Sequence, residues 1–433
     1  MIRLYDFDEV KPEEILNRDI RAEADVEATV DAIIAGVRAR GDAALLDYAA
    51  KFDHAQLDSV QVTQAEIDEA FAELEASDPE FITTLKMAAA NIRHFHEQQL
   101  HKNFVLNDRP GMVLGQKYTP IQRAGVYVPG GTAAYPSTVL MDVIPAKVAG
   151  VQQIVMTTPA GRDGKVNAGI LAAAVIAGID CIFKTGGAQA VAALAYGTES
   201  VPAVDKIVGP GNIYVATAKR KVFGKVGIDM IAGPSEILVL ADGSCNPAWV
   251  AADLLSQAEH DKLATPVLVT DSWDLAKAVQ AELEVQIPQL PRAAIARASV
   301  DTNGKIIVTD DMKKAIDAVN IIAPEHLEIC VDDPFAVLND IQNAGSIFLG
   351  KNVPEALGDY FAGPNHTLPT SGTARFSSPL GVDDFVKKSS FIYYTREALG
   401  EVQARIANFA EHEGLHAHAK SVTIRFEDEQ KGE

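Results

Sequence analysis

Apolar positions recur every three or four residues between about 20 and 104, which is the spacing of a helix face. Val30, Ile33, Ile34 and Val37 form one such stripe, and a second runs over 67–74. From Gly125 the pattern changes to short β-rich runs that alternate with Ala-rich helical stretches. The predicted strands are 125–128, 153–157, 181–184, 206–208 and 237–240. Because several of these runs end in glycine turns, the pattern predicts a doubly wound parallel sheet.

The alternation of strands and helices continues to about residue 350. Further strands are predicted at 267–270, 306–309, 327–331 and 346–348, which indicates a second α/β unit with the early helices packed on it. Residues 351–390 are rich in Gly, Pro, Ser and Thr and predict a long functional loop or linker. A helix at 396–411 and a short strand at 422–426 follow. The expected fold class is α/β, with two doubly wound, incomplete Rossmann-like parallel-sheet domains, N-terminal helices and a C-terminal tail.

Composition and charge exclude several classes of protein. The 433 residues are 48% hydrophobic and suit two or three domains, and the net charge of −21 disfavours nucleic acid and anionic membranes as partners. No run approaches the about 18 apolar residues of a membrane span, and the N-terminus lacks the apolar segment of a signal peptide. Three separated cysteines fit ordinary buried thiols, so a cytoplasmic location is expected.

The glycine turns are candidate nucleotide-binding elements. Glycine at the carboxyl end of a parallel strand lets backbone N–H groups approach phosphate. The segments 186–189 and 209–212 both have this form, but no GxGxxG followed by an acidic residue about 20 positions later is present. From spacing alone, tight βα turns without a cofactor explain these glycines equally well.

A helix from Asn246 to about Asp261 presents a candidate metal pair. Asn246-Pro247 suits an N-cap followed by a first-turn proline, and Gln257 and His260 lie about 60° apart at one edge of the buried stripe. Histidine is a common metal ligand, whereas glutamine is an unusual one. The alternative is a helix-edge pair that hydrogen-bonds to the backbone.

Acid–base candidates lie further along the chain. Pro324 is expected to end a helix just before Glu325-His326, a pair that can serve as general base and proton shuttle. Asp359 and His366 flank the start of the glycine-rich loop, although a capping role is the commoner explanation for such an Asp. The tail carries a dense group that suggests a metal site or a solvated polar end, and spacing does not choose between its last two histidines: His412, Glu413, His416 and His418.

Long ordered segments of the chain resemble the histidinol dehydrogenase family. The resemblance covers essentially the whole chain and is carried by the runs 228–236 (IDMIAGPSE) and 253–260 (DLLSQAEH) together with YVPGG at 127–131, GGAQA at 186–190, GPGN at 209–212, PEHL at 324–327, GDY at 358–360 and GPNHTLPT at 363–370. Family members are homodimers that oxidise L-histidinol through its aldehyde to L-histidine, transferring two hydrides to two NAD in the last steps of histidine biosynthesis. The resemblance therefore implies a small-molecule substrate, NAD, one Zn²⁺ per subunit and shared active sites.

Site roles are implied position by position. The zinc ligands fall on Gln257, His260, Asp359 and, from the partner subunit, His418 rather than His416. The catalytic pair falls on Glu325 and His326: His326 takes protons at each hydride step, and Glu325 activates water against the aldehyde. Substrate contacts fall on Ser235, Gln257, His260, His326, Asp359, His366, Glu413 and His418. Cofactor contacts fall on Tyr127, Gln189 and Asn212.

The domain boundaries expected from pattern and resemblance together are as follows. Residues 1–20 form an N-terminal arm, 21–126 plus 236–380 the first α/β domain, 127–235 the second domain on the NAD side, and 381–433 a helical tail that reaches the partner subunit. Rival functions are a dehydrogenase of another amino alcohol or diol, a zinc hydrolase that uses Glu325 to activate water, and, more weakly, a non-catalytic binding module. The choice between Zn²⁺ and Mn²⁺ stays open.

Overall fold

The computed structural model describes residues 1–11, 15, 24–130 and 134–427. Gly131 and residues 12–14 and 16–20 of the expected N-terminal arm therefore lie outside the described residues. The strands are β1 (Arg3–Asp6), β2 (Phe104–Leu106), β3 (Met112–Pro120), β4 (Arg123–Tyr127), β5 (Gln153–Thr158), β6 (Cys181–Lys184), β7 (Lys206–Val208), β8 (Gly227–Ile228), β9 (Glu236–Ala241), β10 (Thr265–Thr270), β11 (Lys305–Val308), β12 (His326–Cys330), β13 (Ser346–Leu349) and β14 (Val386–Tyr394). The helices are α1 (Ala24–Arg40), α2 (Asp42–Tyr48), α3 (Gln64–Ser77), α4 (Pro79–Glu97), α5 (Pro136–Ala149), α6 (Ala168–Ala177), α7 (Gly187–Tyr196), α8 (Ile213–Val222), α9 (Pro247–Ala258), α10 (Trp273–Gln286), α11 (Ala293–Thr302), α12 (Met312–Ile322), α13 (Pro334–Leu338), α14 (Glu355–Leu357), α15 (Arg396–His412) and α16 (His416–Thr423).

A five-stranded parallel sheet has the order β6-β5-β4-β7-β8. In chain order this is 3-2-1-4-5, the Rossmann order without its sixth strand. The direction of winding reverses between β4 and β7, so the carboxyl ends of these two strands border the crevice where such sheets bind ligands. This sheet confirms the predicted α/β class for the middle of the chain.

A six-stranded parallel sheet has the order β1-β11-β10-β9-β12-β13. Its last five strands repeat the order 3-2-1-4-5, with the reversal between β9 and β12. The N-terminal strand β1 pairs with β11 at one edge, residue Arg3 opposite Lys305. The sequence pattern did not predict β1.

Both sheets are covered by apolar helix faces, as buried parallel strands require. The stripe of Val30, Ile33, Ile34 and Val37 on α1 packs against α7, α8 and the five-stranded sheet, as predicted. One face of the six-stranded sheet buries side chains of α9, α10 and α11, and the other buries α12. Among the described residues, no helix is long and apolar enough to cross a membrane.

The chain divides into two compact units, one of residues 1–100 and 121–385 and the other of residues 101–120 and 386–433. Both parallel sheets belong to the first unit. The second unit contains an antiparallel sheet of order β14-β3-β2 and the helices α15 and α16, which pack through Ala407, Ala410 and Ala419. The expected four-part domain division stays a prediction; strand β4 straddles its boundary at residue 126 and lies wholly in the five-stranded sheet.

Three local predictions are wrong. Residues 422–426 are not a strand, because α16 continues to Thr423 and a 3-10 turn covers Ile424–Phe426. The Ala-rich run before them favours a helix over the alternating apolar pattern. Residues 386–390 of the expected loop begin the nine-residue strand β14, whose partner β3 lies far away in the chain. Helix α9 ends at Ala258, so His260 lies in the turn that follows.

Candidate active site

Glu325 and His326 lie where the chain enters strand β12. Helix α12 ends at Ile322, and Ala323 adopts a left-handed conformation with φ of 49° directly before Pro324. His326 is the first residue of β12 and stands beside Ile237 of β9. The pair therefore lies at the amino ends of the two strands where the six-stranded sheet reverses, whereas ligands in such sheets usually bind at carboxyl ends.

Backbone hydrogen bonds fix both side chains. The Glu236 N–H donates to Glu325 Oε2 at 2.8 Å, and His326 Nδ1 lies 2.9 Å from the Glu236 carbonyl oxygen. Because a carbonyl can only accept, Nδ1 carries the proton of a neutral His326, and Nε2 points towards the carboxylates of the site. The backbone N–H and C=O of the single residue Glu236 thus hold the two candidate catalytic side chains.

Three carboxyl groups surround the His326 ring. Asp359 Oδ1 lies 3.5 Å from Nε2, Glu355 Oε1 lies 3.9 Å from Nε2, and Glu325 Oε2 lies 3.6 Å from Nδ1. Burial lowers the pKa of His326, but these carboxylates outweigh burial and raise the pKa to about 10. Burial raises the pKa of Glu325 to about 7 against the opposing charge of His326. Burial and the charge of Asp359 raise the pKa of Glu355 to about 8.

Asp359 and His366 are brought together by the glycine segment between them. Asp359 lies in a π-helical turn, Gly358–Ala362, and its carbonyl oxygen lies 3.1 Å from His366 Nδ1. Gly363 has φ of 112°, and a Cβ there would stand 2.7 Å from the Asn91 carbonyl oxygen, so glycine is required. Burial opposes ionisation of Asp359, yet the close approach and positive charge of His326 lower the pKa of Asp359.

Gln257 lies in the last turn of α9 and His260 in the turn that follows, and this helix returns the chain towards the amino ends of the strands. The Gln257 side chain is buried, and its amide nitrogen has no hydrogen-bond partner among the described residues. The His260 N–H donates to the Gln257 carbonyl oxygen at 3.1 Å, which holds the turn beyond the helix. Burial lowers the pKa of His260; the negative charge of Asp359 opposes this shift, and the positive charge of His326 adds to it.

These groups suit a divalent cation. His326, Glu355 and Asp359 each offer a ligand atom, and these atoms lie within 4.8 Å of one another. The separation of His326 Nε2 from Asp359 is long for a hydrogen bond, and three carboxyl groups, those of Glu325, Glu355 and Asp359, lie around one imidazole ring. A cation would neutralise this excess of carboxylates. The structure thus brings together Glu325, His326, Asp359, His366 and His260, with Ser235 one residue before the Glu236 backbone.

The three candidate cofactor residues lie at the carboxyl edge of the five-stranded sheet. The buried Tyr127 ends β4, and its hydroxyl accepts the Gly187 N–H at 3.2 Å. Burial raises the pKa of Tyr127 to about 12, so this hydroxyl stays protonated. Gln189 is buried in the first turn of α7, and Asn212 caps α8 by accepting the N–H groups of Tyr214 and Val215. The capping bonds account for Asn212 without a cofactor.

A cavity of about 1040 Å³ opens at the same edge. Its lining includes Gly130 after β4, Pro159 after β5, and Asp53 from the π-helical turn that follows α2. Burial raises the pKa of Asp53 to about 6. A pocket of this size can accommodate a large fraction of a dinucleotide.

The tail residues Glu413, His416 and His418 belong to the second unit. Glu413 directly follows α15 as its C-cap, whereas His416 and His418 lie in the first turn of α16, and all three side chains are exposed. Their role as ligands stays a prediction.

Pattern analysis missed Glu355 and Glu236. Glu355 begins the short helix α14 four residues before Asp359, and its carboxylate accepts the Ser256 hydroxyl at 2.9 Å. An acidic residue one helical turn before a candidate ligand was the available signal. Glu236 acts through its backbone, which residue type does not reveal.

Comparisons with known proteins agree across the chain. The family model described as histidinol dehydrogenase matches residues 16–426. A histidinol dehydrogenase of Listeria monocytogenes serovar 1/2a is 54% identical over 421 residues, 97% of each chain, and that of Bacillus subtilis strain 168 is 57% identical over 397 residues, 92% of each. The crystal structure of histidinol dehydrogenase from Elizabethkingia anophelis superposes with a TM-score of 0.93 at 38% identity and covers 99% of both chains. These matches do not favour a different alcohol dehydrogenase or a zinc hydrolase.

Proposed function

Because the chain belongs to the histidinol dehydrogenase family, we propose that it oxidises L-histidinol through L-histidinaldehyde to L-histidine with two NAD. The observation that carries the proposal is the position of Glu325 and His326, held by one backbone unit beside Asp359. Family membership makes the protein an oxidoreductase of a small molecule. The NAD and zinc requirements, the site roles and a cytoplasmic location are proposals.

A zinc ion would be held by Gln257, His260 and Asp359 together with His418 of the partner subunit, and Glu355 lies close enough to Asp359 to assist. When bound, Zn²⁺ supplies a positive charge and an orienting contact for the substrate but no redox chemistry. The position of Gln257 in the last turn of α9, the proximity of His260 to Asp359 and the excess of carboxylates around His326 support this set. Whether Mn²⁺ replaces Zn²⁺ is decided by metal analysis of the purified enzyme.

His326 is the proposed base of both oxidation steps. A cation held by the carboxylates around this residue would offset the charges that raise the pKa of His326 and so favour the neutral ring. With Nδ1 tied to the Glu236 carbonyl, Nε2 of the neutral ring is then the atom available to take the substrate hydroxyl proton as hydride leaves the carbinol carbon. Glu325 then removes a proton from water as the water adds to the aldehyde, and the gem-diol loses the second hydride with His326 again as base. NAD, when bound, supplies the hydride acceptor.

This scheme needs no thiol nucleophile. Burial raises the pKa of Cys181 and of Cys245 to about 11, so both stay protonated at neutral pH. Neither lies among the groups gathered around His326.

The proposed substrate contacts are grouped around the amino ends of β9 and β12, and the proposed cofactor contacts lie at the carboxyl edge of the five-stranded sheet. Ser235, His366 and Glu413, together with the zinc-site residues, are the proposed histidinol contacts. Tyr127, Gln189 and Asn212 are the proposed NAD contacts, supported by their common position at the carboxyl edge and by the adjacent cavity.

The stoichiometry of NADH tests the reaction. Complete oxidation of a limiting amount of histidinol should yield two NADH per histidinol, followed by absorbance at 340 nm and by chromatography of histidine. A yield of one with accumulated aldehyde, or none, contradicts the four-electron assignment. Activity on a different amino alcohol but not on histidinol contradicts the substrate.

The role of Glu325 is tested by Glu325→Gln. Glutamine can still accept the Glu236 N–H, so the fold should persist, while aldehyde hydration slows and the NADH yield falls towards one. The matched control is Glu328→Gln on the same strand, because Glu328 is buried and its carboxylate accepts the Glu355 N–H at 2.7 Å. Equal yields from both variants would remove Glu325 from the water step.

We also propose a homodimer in which His418 and Glu413 complete the partner's site. Subunit complementation tests this directly. His326→Asn and His418→Ala enzymes, each nearly inactive, should recover activity when mixed subunits form, because a shared arrangement gives one intact site per mixed dimer. If each tail serves its own chain, no intact site forms and mixing restores nothing.

A further inference from the structure

Helix α5, the first helix after β4, contacts the segment that carries His366 at three points. The Thr138 hydroxyl lies 3.4 Å from His366 Nε2, and Asn365 Nδ2 donates to the Met141 carbonyl oxygen at 2.6 Å. The Thr367 hydroxyl donates to Asp142 Oδ1 at 2.8 Å. Positions 138, 141 and 142 have i, i+3, i+4 spacing, so one face of α5 contacts the segment.

A buried ion pair holds the glycine turn 209–212, here called the nucleotide turn, which follows β7 of the five-stranded sheet. Asp229 Oδ2 accepts the Gly209 N–H at 2.8 Å, and Lys219 Nζ donates to the Gly209 carbonyl oxygen at 2.9 Å. Lys219 and Asp229 also pair directly, with 2% and 1% of their side-chain surfaces exposed. Both backbone groups of Gly209 are therefore fixed, three residues before Asn212.

Asp142 lies between the segment Asn365–Thr367 and the nucleotide turn at Gly209. A Cβ on Gly209 would stand 3.2 Å from Asp142 Oδ2, which is buried without a hydrogen-bond partner among the described residues. Burial and the neighbouring Asp229 charge raise the pKa of Asp142 to about 8, while the Thr367 hydrogen bond and Lys219 oppose the rise. Asp142 therefore stays protonated at neutral pH, and the cluster of Asp142, Asp229 and Lys219 is neutral.

We propose that Asp142, Lys219 and Asp229 are positioning residues that hold the nucleotide turn at Gly209 in register with the substrate segment at Asn365–Thr367. The cluster contacts Gly209 at the proposed cofactor edge and Thr367 beside His366, a proposed substrate contact. This inference rests on the proposed NAD and histidinol sites. A misplacement of about 1 Å between reacting groups can cost about 100-fold in rate, so the loss of one anchor should slow hydride transfer.

The Thr367 hydroxyl and the Asp142 acceptor are the testable contacts. Thr367→Val, which leaves a buried acceptor unsatisfied, should lower kcat about tenfold, and Asp142→Ala should do the same and raise the KM for NAD. Thr367→Ser and Asp142→Asn keep the hydroxyl and the acceptor and should stay within about threefold of wild type. Histidinol deuterated at the carbinol carbon should give a larger isotope effect in the two impaired variants, while zinc content stays unchanged.

Ser299→Ala supplies the control for a purely structural effect. Ser299 is fully buried and its hydroxyl donates to the Ala264 carbonyl oxygen at 2.8 Å, outside the cluster of Asp142, Lys219 and Asp229. It should lower Tm without changing the isotope effect. If Thr367→Val and Asp142→Ala behave like Ser299→Ala, the positioning role is wrong; if Asp142→Ala does not fold, Thr367→Val decides alone. Wild-type enzyme that forms no NADH from histidinol refutes the proposed function instead.

Discussion

Asp142→Asn should change how stability depends on pH. The folded-state pKa of Asp142 is raised to about 8 from an ordinary 3.8, so the native protein retains a proton that the unfolded chain has released. The native state therefore binds more protons than the unfolded state between about pH 4 and 8, and stability falls as pH rises through this window. Asparagine, which is neutral and can still accept the Thr367 hydroxyl, removes that dependence.

The size of the effect follows from the pKa difference. For each unit that the pH rises inside the window, the free energy of unfolding of the wild type falls by about 1.4 kcal/mol relative to that of the variant. This loss per pH unit becomes smaller close to pH 8. Between pH 5.5 and 7.5 the stability difference should therefore grow by roughly 2.5 kcal/mol in favour of Asp142→Asn. With about 1 to 4 °C per kcal/mol, depending on how much of the chain unfolds together, the Tm difference should grow by about 3 to 10 °C.

Calorimetry of both proteins at the two pH values measures this change. Comparing variant with wild type cancels the contributions of all other titrating groups. Ser299→Ala, which removes a buried hydroxyl but no titratable group, should show the same Tm difference at both pH values. A Tm difference for Asp142→Asn that is equally independent of pH would mean that Asp142 is already ionised in the native protein, which would refute the charge assignment of the cluster.

Three further results are expected. Chelation should abolish NADH formation and added Zn²⁺ should restore it. The His418→Ala variant should lose stoichiometric zinc, measured by atomic absorption, whereas the His416→Ala variant should retain it. Retention of zinc by both variants contradicts the ligand assignment. His326→Asn should slow both hydride steps in single-turnover kinetics, and slowing of only one would limit its role as base. Gly209→Ala should lose NAD binding and much stability, because its Cβ would lie 2.1 Å from the Tyr127 carbonyl oxygen. Gly224→Ala, also at positive φ but with nothing within 4 Å, should cost only about 1 to 2 kcal/mol and keep activity, and equal effects would refute the steric argument.

The sequence pattern predicted most strands of both parallel sheets, because strands buried on two faces form short, continuous apolar runs that end at glycine. It did not predict β1, β2, β3, β8 or β14. Strand β1 pairs with β11 and β3 pairs with β14, so these partners are distant in the chain, and β2 and β8 are only three and two residues long. Strand pairing over such separations is set by tertiary contacts that local propensity does not contain.

The candidate site was likewise predicted only in part. Resemblance selected Glu325, His326 and Asp359, and the topology accounts for their meeting at the amino ends of β9 and β12. Neither pattern nor resemblance indicated the role of Glu355, or the burial of Asp142 and Lys219. A charged residue is expected at the surface unless it is paired, and a pair formed across the fold leaves no periodic signal in the sequence.

The N-terminal strand has a consequence for handling the protein. By pairing with β11, residues Arg3–Asp6 cover backbone groups that would otherwise form the open edge of the six-stranded sheet. Such an edge is a template for intermolecular strand addition. Removal of the first ten residues should therefore promote aggregation through Lys305–Val308 while leaving every residue proposed for the chemistry in place.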